Sequence, residues 1–329
     1  MNRGTRYEMR NRKSLPKLVL FGDPKKEGVG KAIEEFVGFA KDKADIVASY
    51  SIEDLKNASD NLSGSLILDD PNAQRAVQTP VKAEILKKCD FAVVFGGDGS
   101  IISTARSLSK VSVPVVGVNV GKLGFLAEFS VGELKDFFPC LGSGKVAIEK
   151  RMMLGCRVFS DGRQGEGTEK FSSAALNDIF ITAGPPFKMI ELKISVDGQP
   201  LAGCISDGLI ISTPTGSTAY NLSAGGPILS PKMEAMVITS ICPHSLSFRP
   251  IVINADRRVE VFGVRVNKGT TISIDGQVSL RLSIDDVVRV ERQSCDFLIV
   301  NNPLRSQWDT LASKLNWAEK PRYKKNTSV

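Results

Sequence analysis

The 329-residue sequence has one histidine, His244, and six cysteines that are widely and irregularly spaced. No two cysteines form a C-x-x-C pair, so the spacing argues against a structural zinc site. A Ser-His-Asp hydrolase is also disfavoured, because no serine lies in a G-x-S-x-G motif and His244 would be the only imidazole base. We interpret the cysteines as reduced thiols of a cytoplasmic protein.

Long hydrophobic runs are absent too. No apolar stretch approaches the roughly 18 residues that a membrane helix needs, and the N-terminus lacks the apolar segment of a signal peptide. These absences predict a protein that neither spans a membrane nor is secreted. The apolar fraction of 42% and the charged fraction of 24% are typical of globular proteins. The length suffices for two domains.

The positive charge is confined to the two ends of the sequence. Residues 1–17 carry six basic residues and one acidic residue, and residues 314–329 carry five and one, whereas the chain between them is slightly acidic. Nucleic-acid-binding proteins usually carry their basic residues on a folded face. We therefore predict flexible basic tails at 1–16 and 319–329. A nucleic-acid-binding module that uses these tails is the alternative.

The first half of the sequence alternates between strand and helix patterns. Short apolar runs predict buried strands, and apolar residues at helical spacing predict the helices between them. This alternation predicts an N-terminal Rossmann-like α/β domain over residues 17–144, with a parallel sheet covered by helices. The predicted strands are 17–22, 46–48, 66–68, 91–95 and 113–118, and the predicted helices are 29–43, 79–88 and 100–108.

After about residue 145 the pattern changes to short, β-branched, alternating segments. Turn pairs such as Asp197-Gly198 and Asp275-Gly276 separate them. We predict a mostly antiparallel, β-rich domain over 145–300 that resembles a sandwich. Apolar residues then recur on one helical face between Leu304 and Leu315, which predicts a C-terminal helix over 301–318 that packs back on the first domain.

Residues 96–100, Gly-Gly-Asp-Gly-Ser, follow the predicted strand 91–95; we call them the glycine loop. Glycines let backbone approach a phosphate closely, and the amides at a helix N-terminus attract anions. Open α/β sheets bind ligands at this end of their strands. Asp98 would repel a phosphate unless it accepts a hydroxyl proton or helps to hold Mg²⁺. The structural alternative is an Asp that caps the helix.

Residues 213–227 read Thr-Pro-Thr-Gly-Ser-Thr-Ala-Tyr-Asn-Leu-Ser-Ala-Gly-Gly-Pro and follow the apolar run 208–212. We call this segment the hydroxyl loop, because it contains six hydroxyl groups, together with three glycines. A buried strand that leads into hydroxyls and bare backbone predicts a site for a polar, phosphate-bearing ligand. Within this loop, Tyr220 can stack on a base and donate a hydrogen bond from its phenol.

Three smaller features have two interpretations each. Asn177 and Asp178 form a pair that can bind the two hydroxyls of a ribose, or can be a strand bulge. Gln277 can contact a polar ligand edge or be an ordinary turn residue. Phe125, in the Gly-rich segment 117–126, can cover a ligand ring or belong to the core.

Taken together, these motifs resemble the NAD kinase family, in order and over about residues 17–317. The glycine loop alone is shared with lipid kinases and related phosphotransferases, whereas the hydroxyl loop with its terminal Gly-Gly-Pro is much more specific. The matching segments are 96–100, 117–126, 176–178, 207–220, 223–227, 241–247 and 249–250.

The resemblance implies phosphorylation of the adenosine ribose 2′-hydroxyl of NAD to give NADP. It also implies ATP or polyphosphate as the donor, a divalent cation such as Mg²⁺ bound with that donor, a site between the two domains and a homo-oligomer, dimer or tetramer. By position, Asp98 matches the proton acceptor of the family. The implied binding residues are Gly97, Gly99, Phe125, Asn177, Asp178, Lys188, Asp207, Thr218, Ala219, Tyr220, Asn221, Leu222, Ser223 and Gln277.

Two positions depart from the family pattern. Asp178 stands where relatives usually have Glu, and Ile205 stands where some relatives have Arg. The second difference leaves the preference for NAD or NADH open. Two other functions are alternatives: a related kinase that acts on a lipid or sugar hydroxyl, and a non-catalytic NAD-binding sensor.

Overall fold

The computed structural model describes residues 5–6, 14–52, 67–68, 83–121, 124–160 and 167–315. The predicted tail 319–329 and most of the tail 1–16 lie outside this range, as does the first part of the helix predicted at 79–88. Within the described residues, no helix is both long enough and apolar enough to cross a membrane.

The first sheet has seven strands, and its central members are parallel. The strands Lys17–Gly22 and Phe91–Gly96 are apolar on both faces because helices or other chain segments cover both sides of the sheet. In spatial order the strands are β1 (Thr5–Arg6), β7 (Ala147–Arg151), β20 (Phe297–Val300), β6 (Val115–Asn119), β5 (Phe91–Gly96), β2 (Lys17–Gly22) and β3 (Asp45–Ser51).

Different helices cover the two faces of this sheet. The helices of the described residues are α1 (Val29–Ala40), α2 (Ala83–Leu86), α3 (Asp98–Leu108), α4 (Val131–Ser143), α5 (Tyr220–Ser223) and α6 (Gln307–Leu315), with a 3₁₀ turn at Gly216–Thr218. α1 and α4 cover one face. α3 covers the other, where its apolar residues also contact Ala174 and Leu176 of the second half. The core therefore places α3 between the two halves of the protein.

The second half consists of two packed sheets with one shared core. One sheet contains, in spatial order, β15 (Ile251–Asn254), β14 (Ala235–Ile241), β13 (Gly208–Ser212), β10 (Asp178–Thr182), β17 (Thr271–Ile274), β18 (Val278–Arg281) and β4 (Ile67–Leu68). The other contains β12 (Gln199–Ser206), β11 (Ile190–Val196), β16 (Val259–Arg265), β19 (Val287–Arg292), β8 (Leu154–Ser160) and β9 (Thr168–Ala175). The predicted fold class, an α/β half plus a β-rich sandwich-like half, is confirmed.

The predicted boundary at residue 145 and the predicted limit at 300 are wrong in detail. β7 and β20 belong to the first sheet, where they pair with each other in antiparallel fashion. β4 lies in the second half, where it pairs with β18. Local alternation of apolar residues identifies a strand, but it contains no information about which sheet the strand joins.

The C-terminal helix is present, and its expected packing on the first domain stays a prediction. Just before the helix, Arg305 donates to Glu133 of α4 at 3.0 Å. None of the helix residues is buried, and Trp308 is 64% exposed, with Leu304 just before it 79% exposed. The contact of Gln307 is with Ser230 of the second half, at 3.4 Å. β20, rather than the helix, returns the chain to the first sheet, because its apolar residues fit a buried central position there.

Phe36 is the centre of an aromatic cluster between α1, β5 and α4. Its ring centroid lies 5.6 Å from that of Phe95 and 6.0 Å from that of Phe138, and the side chain is fully buried. We expect Phe36→Ala to lower the free energy of unfolding by about 3–5 kcal/mol, since it removes buried surface and leaves a cavity. Val37→Ala, one residue on and 39% exposed, should change it by less than about 0.5 kcal/mol. Urea denaturation measures both, and equal losses would contradict the packing described.

Candidate active site

The glycine loop joins the buried end of β5 to α3. Gly96 has φ +147°, and a Cβ there would lie 2.4 Å from Oγ of Ser100, so the turn requires glycine. In contrast, a Cβ on Gly97 would meet no atom within 4 Å, and Gly99 is exposed. The backbone of this loop therefore faces open space at the N-terminus of a helix, which is a geometry that favours anions.

The carboxylate of Asp98 is held by the neighbouring loop. Its Oδ2 accepts a hydrogen bond from the backbone N–H of Phe125 at 2.7 Å. Its Oδ1 accepts from the N–H groups of Leu126 at 2.9 Å and Ala127 at 3.2 Å. The helix-cap interpretation is wrong, because no side chain caps α3. A carboxylate accepts about four hydrogen bonds, so one acceptor position on Oδ2 stays available in a fixed orientation.

The Asn177-Asp178 pair lies at the start of β10, and the side chain of Asp275 holds its backbone. The Asp275 carboxylate accepts from the backbone N–H groups of Leu176 at 3.1 Å, Asn177 at 2.7 Å and Asp178 at 3.1 Å. From the other side, Gly216 of the hydroxyl loop approaches so closely that a Cβ would lie 2.1 Å from the carbonyl oxygen of Asn177. The pair is therefore clamped between a buried carboxylate and the hydroxyl loop.

Asp178 has an unusual protonation equilibrium. Burial raises the pKa of its carboxyl to about 7, with a further contribution from the charge of Asp275, while a hydrogen bond from the backbone N–H of Tyr220 opposes the rise. The side chain is 3% exposed. Near neutral pH this group can thus either accept a hydrogen bond from a ligand hydroxyl or donate one.

Buried side chains hold the hydroxyl loop in place. Oγ of Ser217 donates to the carbonyl oxygen of Pro214 at 2.6 Å and accepts from the N–H of Leu229 at 3.0 Å. Nδ2 of Asn221 donates to the carbonyl oxygens of Ser217 and Pro227, each at 3.1 Å. Its Oδ1 accepts from Thr239 at 2.7 Å. Asn221 is fully buried, so its side chain shapes the loop, and its expected part in binding a ligand stays a prediction that falls to its backbone.

The solvent-facing side of the hydroxyl loop is formed by less buried residues. The ring of Tyr220 is 37% exposed and meets Phe180 edge-on, with ring centroids 5.0 Å apart. The backbone N–H of Tyr220 also reaches Asp178. An exposed ring next to a buried carboxylate fits the predicted stacking position. The other expected residues that are half-buried or exposed here are Thr218, Ala219, Leu222 and Ser223.

Gln277 joins the second half to α3 instead of standing free at a hairpin. Its Nε2 donates to the carbonyl oxygen of Gly99 at 2.9 Å, and its Oε1 accepts from Oγ of Ser103 at 2.7 Å and from Arg106 at 2.6 Å. The contact brings the glycine loop and the hairpin that contains Asp275 together. Sequence reasoning missed Arg106 and the buried role of Asp275, since no local pattern distinguishes them from a surface helix residue and a turn residue.

The remaining expected residues lie around this centre. Asp207 is half-buried, and its backbone bonds to Ala183 and Ile241. Lys188 is exposed, and its carbonyl oxygen accepts from Asn267 at 3.1 Å. Phe125 is half-buried beside Asp98.

No group of three or more His, Cys, Asp or Glu side chains in the described residues can hold a metal ion. An all-protein metal site is thus not formed by this part of the chain. Mg²⁺ commonly uses only one or two carboxylates and takes its other ligands from phosphates and water. The one available acceptor position on Asp98 fits either a single bond to such a cation or the acceptance of one proton.

Gly124 tests the fixed orientation of Asp98. A Cβ at this position would lie 1.9 Å from Oδ1 of Asp98, so Gly124→Ala must displace the carboxylate and break its loop contacts. We expect the free energy of unfolding to fall by about 1–3 kcal/mol. Gly38→Ala, inside α1 where an added Cβ meets nothing, should instead raise it by about 0.5–1 kcal/mol. Urea denaturation measures both, and a neutral Gly124→Ala would contradict the contact.

The raised pKa of Asp178 predicts a pH-dependent stability. Between its ordinary value of 3.8 and about 7, the folded protein binds more protons at this group than the unfolded chain. The stability contributed by Asp178 is therefore complete below about pH 4 and is lost as the pH rises through 7. We expect the melting temperature of Asp178→Asn to fall less between pH 5 and pH 8 than that of the unsubstituted protein. Parallel pH profiles would contradict the assignment.

Comparisons with known proteins agree with this geometry. Two family models match the chain, the ATP-NAD kinase N-terminal domain over residues 20–141 and the ATP-NAD kinase C-terminal domain over residues 176–301. A NAD kinase of Geotalea daltonii is 38% identical over 242 residues, which cover 74% of this chain and 84% of the relative.

Two solved structures share the fold. The crystal structure of yeast NADH kinase complexed with NADH has a TM-score of 0.77 and 26% identity, and covers 94% of this chain and 90% of its own. That of a NAD kinase from Archaeoglobus fulgidus in complex with ATP has a TM-score of 0.64 and 23% identity, with 91% and 98% covered, and supports the fold alone. The chain belongs to the NAD kinase family.

Proposed function

We propose that this chain transfers the terminal phosphoryl group of ATP to the 2′-hydroxyl of the adenosine ribose of NAD, producing NADP in the cytoplasm. One observation carries the proposal. The 2.9 Å contact between Gln277 and Gly99 joins the glycine loop to the hairpin whose Asp275 holds the Asn177-Asp178 pair. The proposed phosphate site and the proposed ribose site are thus held next to each other. Both family models describe ATP-NAD kinase domains, which supports ATP as the donor.

The glycine loop binds the donor phosphates. The open backbone at Gly97 and Gly99 lets phosphate oxygens approach the amides at the start of α3. Phosphoryl transfer depends mainly on positioning and on neutralising charge. Mg²⁺ bound with the donor would supply part of that neutralisation and would be held mainly by the phosphate oxygens.

Asp98 accepts the proton of the attacking hydroxyl. The 2′-oxygen forms a bond to the terminal phosphorus of ATP, the bond from that phosphorus to the bridging oxygen breaks, and ADP leaves. The hydroxyl proton passes to Oδ2 of Asp98, which keeps one acceptor position after its hydrogen bond to Phe125. Because three backbone N–H groups fix this carboxylate, it needs no reorganisation during the reaction.

The second half binds and orients NAD. The amide of Asn177 and the carboxyl of Asp178 hold the adenosine ribose, and Tyr220 packs against the base. A ribose hydroxyl that donates to Asp178 stabilises the ionised carboxylate, so bound NAD lowers the pKa of this group. Ile205, 38% exposed at the edge of β12, is the position at which we expect a preference between NAD and NADH to be set.

We also propose a homo-oligomer, a dimer or a tetramer. Phe187 is 73% exposed and Leu246 is 90% exposed. Large apolar side chains of this kind are commonly covered in protein assemblies.

The decisive assay incubates the protein with NAD or NADH, Mg²⁺ and either ATP or polyphosphate, and measures NADP or NADPH. A diacylglycerol and a free sugar serve as acceptor controls. Phosphorylation of a control without NADP formation would support the related lipid or sugar kinase. NAD binding without any consumption of donor would support the sensor.

Asp98→Asn tests the proton acceptor. An Asn oxygen can still accept from Leu126 and Ala127, so we expect only the bond to Phe125 to be lost, together with most of the turnover. General-base catalysis is worth about 10²–10⁴-fold in kcat, and kcat should fall by that order. NAD binding by calorimetry and the melting curve serve as controls for folding. Near-normal turnover in a folded Asn variant would remove Asp98 from this role.

A further inference from the structure

The far end of α3 is tied to the second half by a buried ion pair. NH1 of Arg106 lies 3.4 Å from Oδ2 of Asp275, and the two side chains are 14% and 0% exposed. NH2 of the same guanidinium donates to Oε1 of Gln277 at 2.6 Å. The tip of the β17–β18 hairpin therefore binds one face of α3 at three levels, through Gly99, Ser103 and Arg106.

Asp275 has its hydrogen-bonding capacity fully used. Oδ1 accepts from the N–H groups of Asn177 and Asp178, and Oδ2 accepts from that of Leu176 and from Arg106. A carboxylate has about four acceptor positions, so none is left free. The same carboxylate thus sets the position of the backbone at the Asn177-Asp178 pair. Among the described contacts, its one ion-pair partner is Arg106.

The consequence is a rigid link between donor and acceptor sites. α3 carries Asp98 and the glycine loop at its first turn and Arg106 in its last turn. Any tilt of α3 about the hairpin would change the distance from the glycine loop to the Asn177-Asp178 pair. In-line transfer is sensitive to such changes, because misplacement by about 1 Å can cost on the order of 10²-fold in rate.

We propose that Arg106 is a positioning residue for the phosphoryl transfer, which acts through Asp275 and Gln277 to hold the glycine loop at the correct distance from the Asn177-Asp178 pair. This inference rests on the proposed function. Arg106 touches neither substrate. Its guanidinium suits the task, because the planar fork reaches two acceptors at once in a fixed geometry.

The proposal predicts that loss of Arg106 lowers kcat but leaves the affinity for NAD nearly unchanged. In Arg106→Met the Asp275 carboxylate keeps its three backbone N–H donors, so the NAD site stays formed, whereas α3 loses its fixed orientation. We expect kcat to fall on the order of 10²-fold, with the Kd for NAD within about threefold of the unsubstituted protein. Arg106→Lys keeps the charge but not the fork, and should give an intermediate kcat.

The chain offers a matched control. Lys170 and Asp286 form a second buried ion pair within the sandwich half, with side chains 17% and 3% exposed, and Asp286 likewise accepts a backbone N–H, that of Ser283 at 2.6 Å. Lys170→Met also leaves a buried carboxylate without its cation. We expect it to lower the melting temperature by an amount similar to Arg106→Met, but to leave kcat of the folded fraction within twofold.

The experiment measures kcat, the Kd for NAD and the melting temperature of the full chain and these variants, with NADP formation as the rate. A kcat of Arg106→Met within twofold of the unsubstituted protein at equal folded fraction would overturn the proposal, as would an equal loss in Lys170→Met. If Arg106→Met does not fold, Gln277→Met is decisive: a lower kcat with unchanged NAD affinity supports the proposal, and an unchanged kcat overturns it. Failure of the proposed function would be distinguishable, because the unsubstituted protein would then form no NADP.

Discussion

Both halves of the site depend on the contacts that the buried carboxylate of Asp275 makes. It is fully buried, and three backbone N–H groups and one guanidinium surround it. Burial of a charge is costly unless every acceptor position is used, so this group tolerates little displacement of its partners. The arrangement holds the start of β10 and the end of α3 in one geometry, although they come from different halves of the protein.

Two further carboxylates, to which the proposed chemistry is assigned, lie in contrasting surroundings. Asp98 is held by backbone N–H groups at the edge of the glycine loop. Asp178 lies deeper, where burial and the nearby charge of Asp275 raise its pKa to about 7. A buried acidic group with a strongly raised pKa is characteristic of active sites. In the proposed reaction one group accepts a proton and the other orients the sugar.

Much of the site was predictable because its determinants are local. Close packing at Gly96 and Gly216 demands glycine, and an apolar strand before each loop marks where the loop emerges. The roles of other residues in these loops were not predictable from the sequence. Asn221 lies within the hydroxyl loop and was expected to bind ligand, but its amide is buried and fully bonded. Only the three-dimensional position of Thr239, 18 residues away, explains that difference.

The sequence by itself determined most of the strands and helices, the two loops and the family, since these depend on periodicity and on residues close together in the chain. The tertiary structure alone decided that β7 and β20 join the first sheet. It also decided that Arg106 meets Asp275 across 169 positions of sequence. Contacts at such separations arise from how the sheets and α3 pack, and no local pattern of residues specifies that packing.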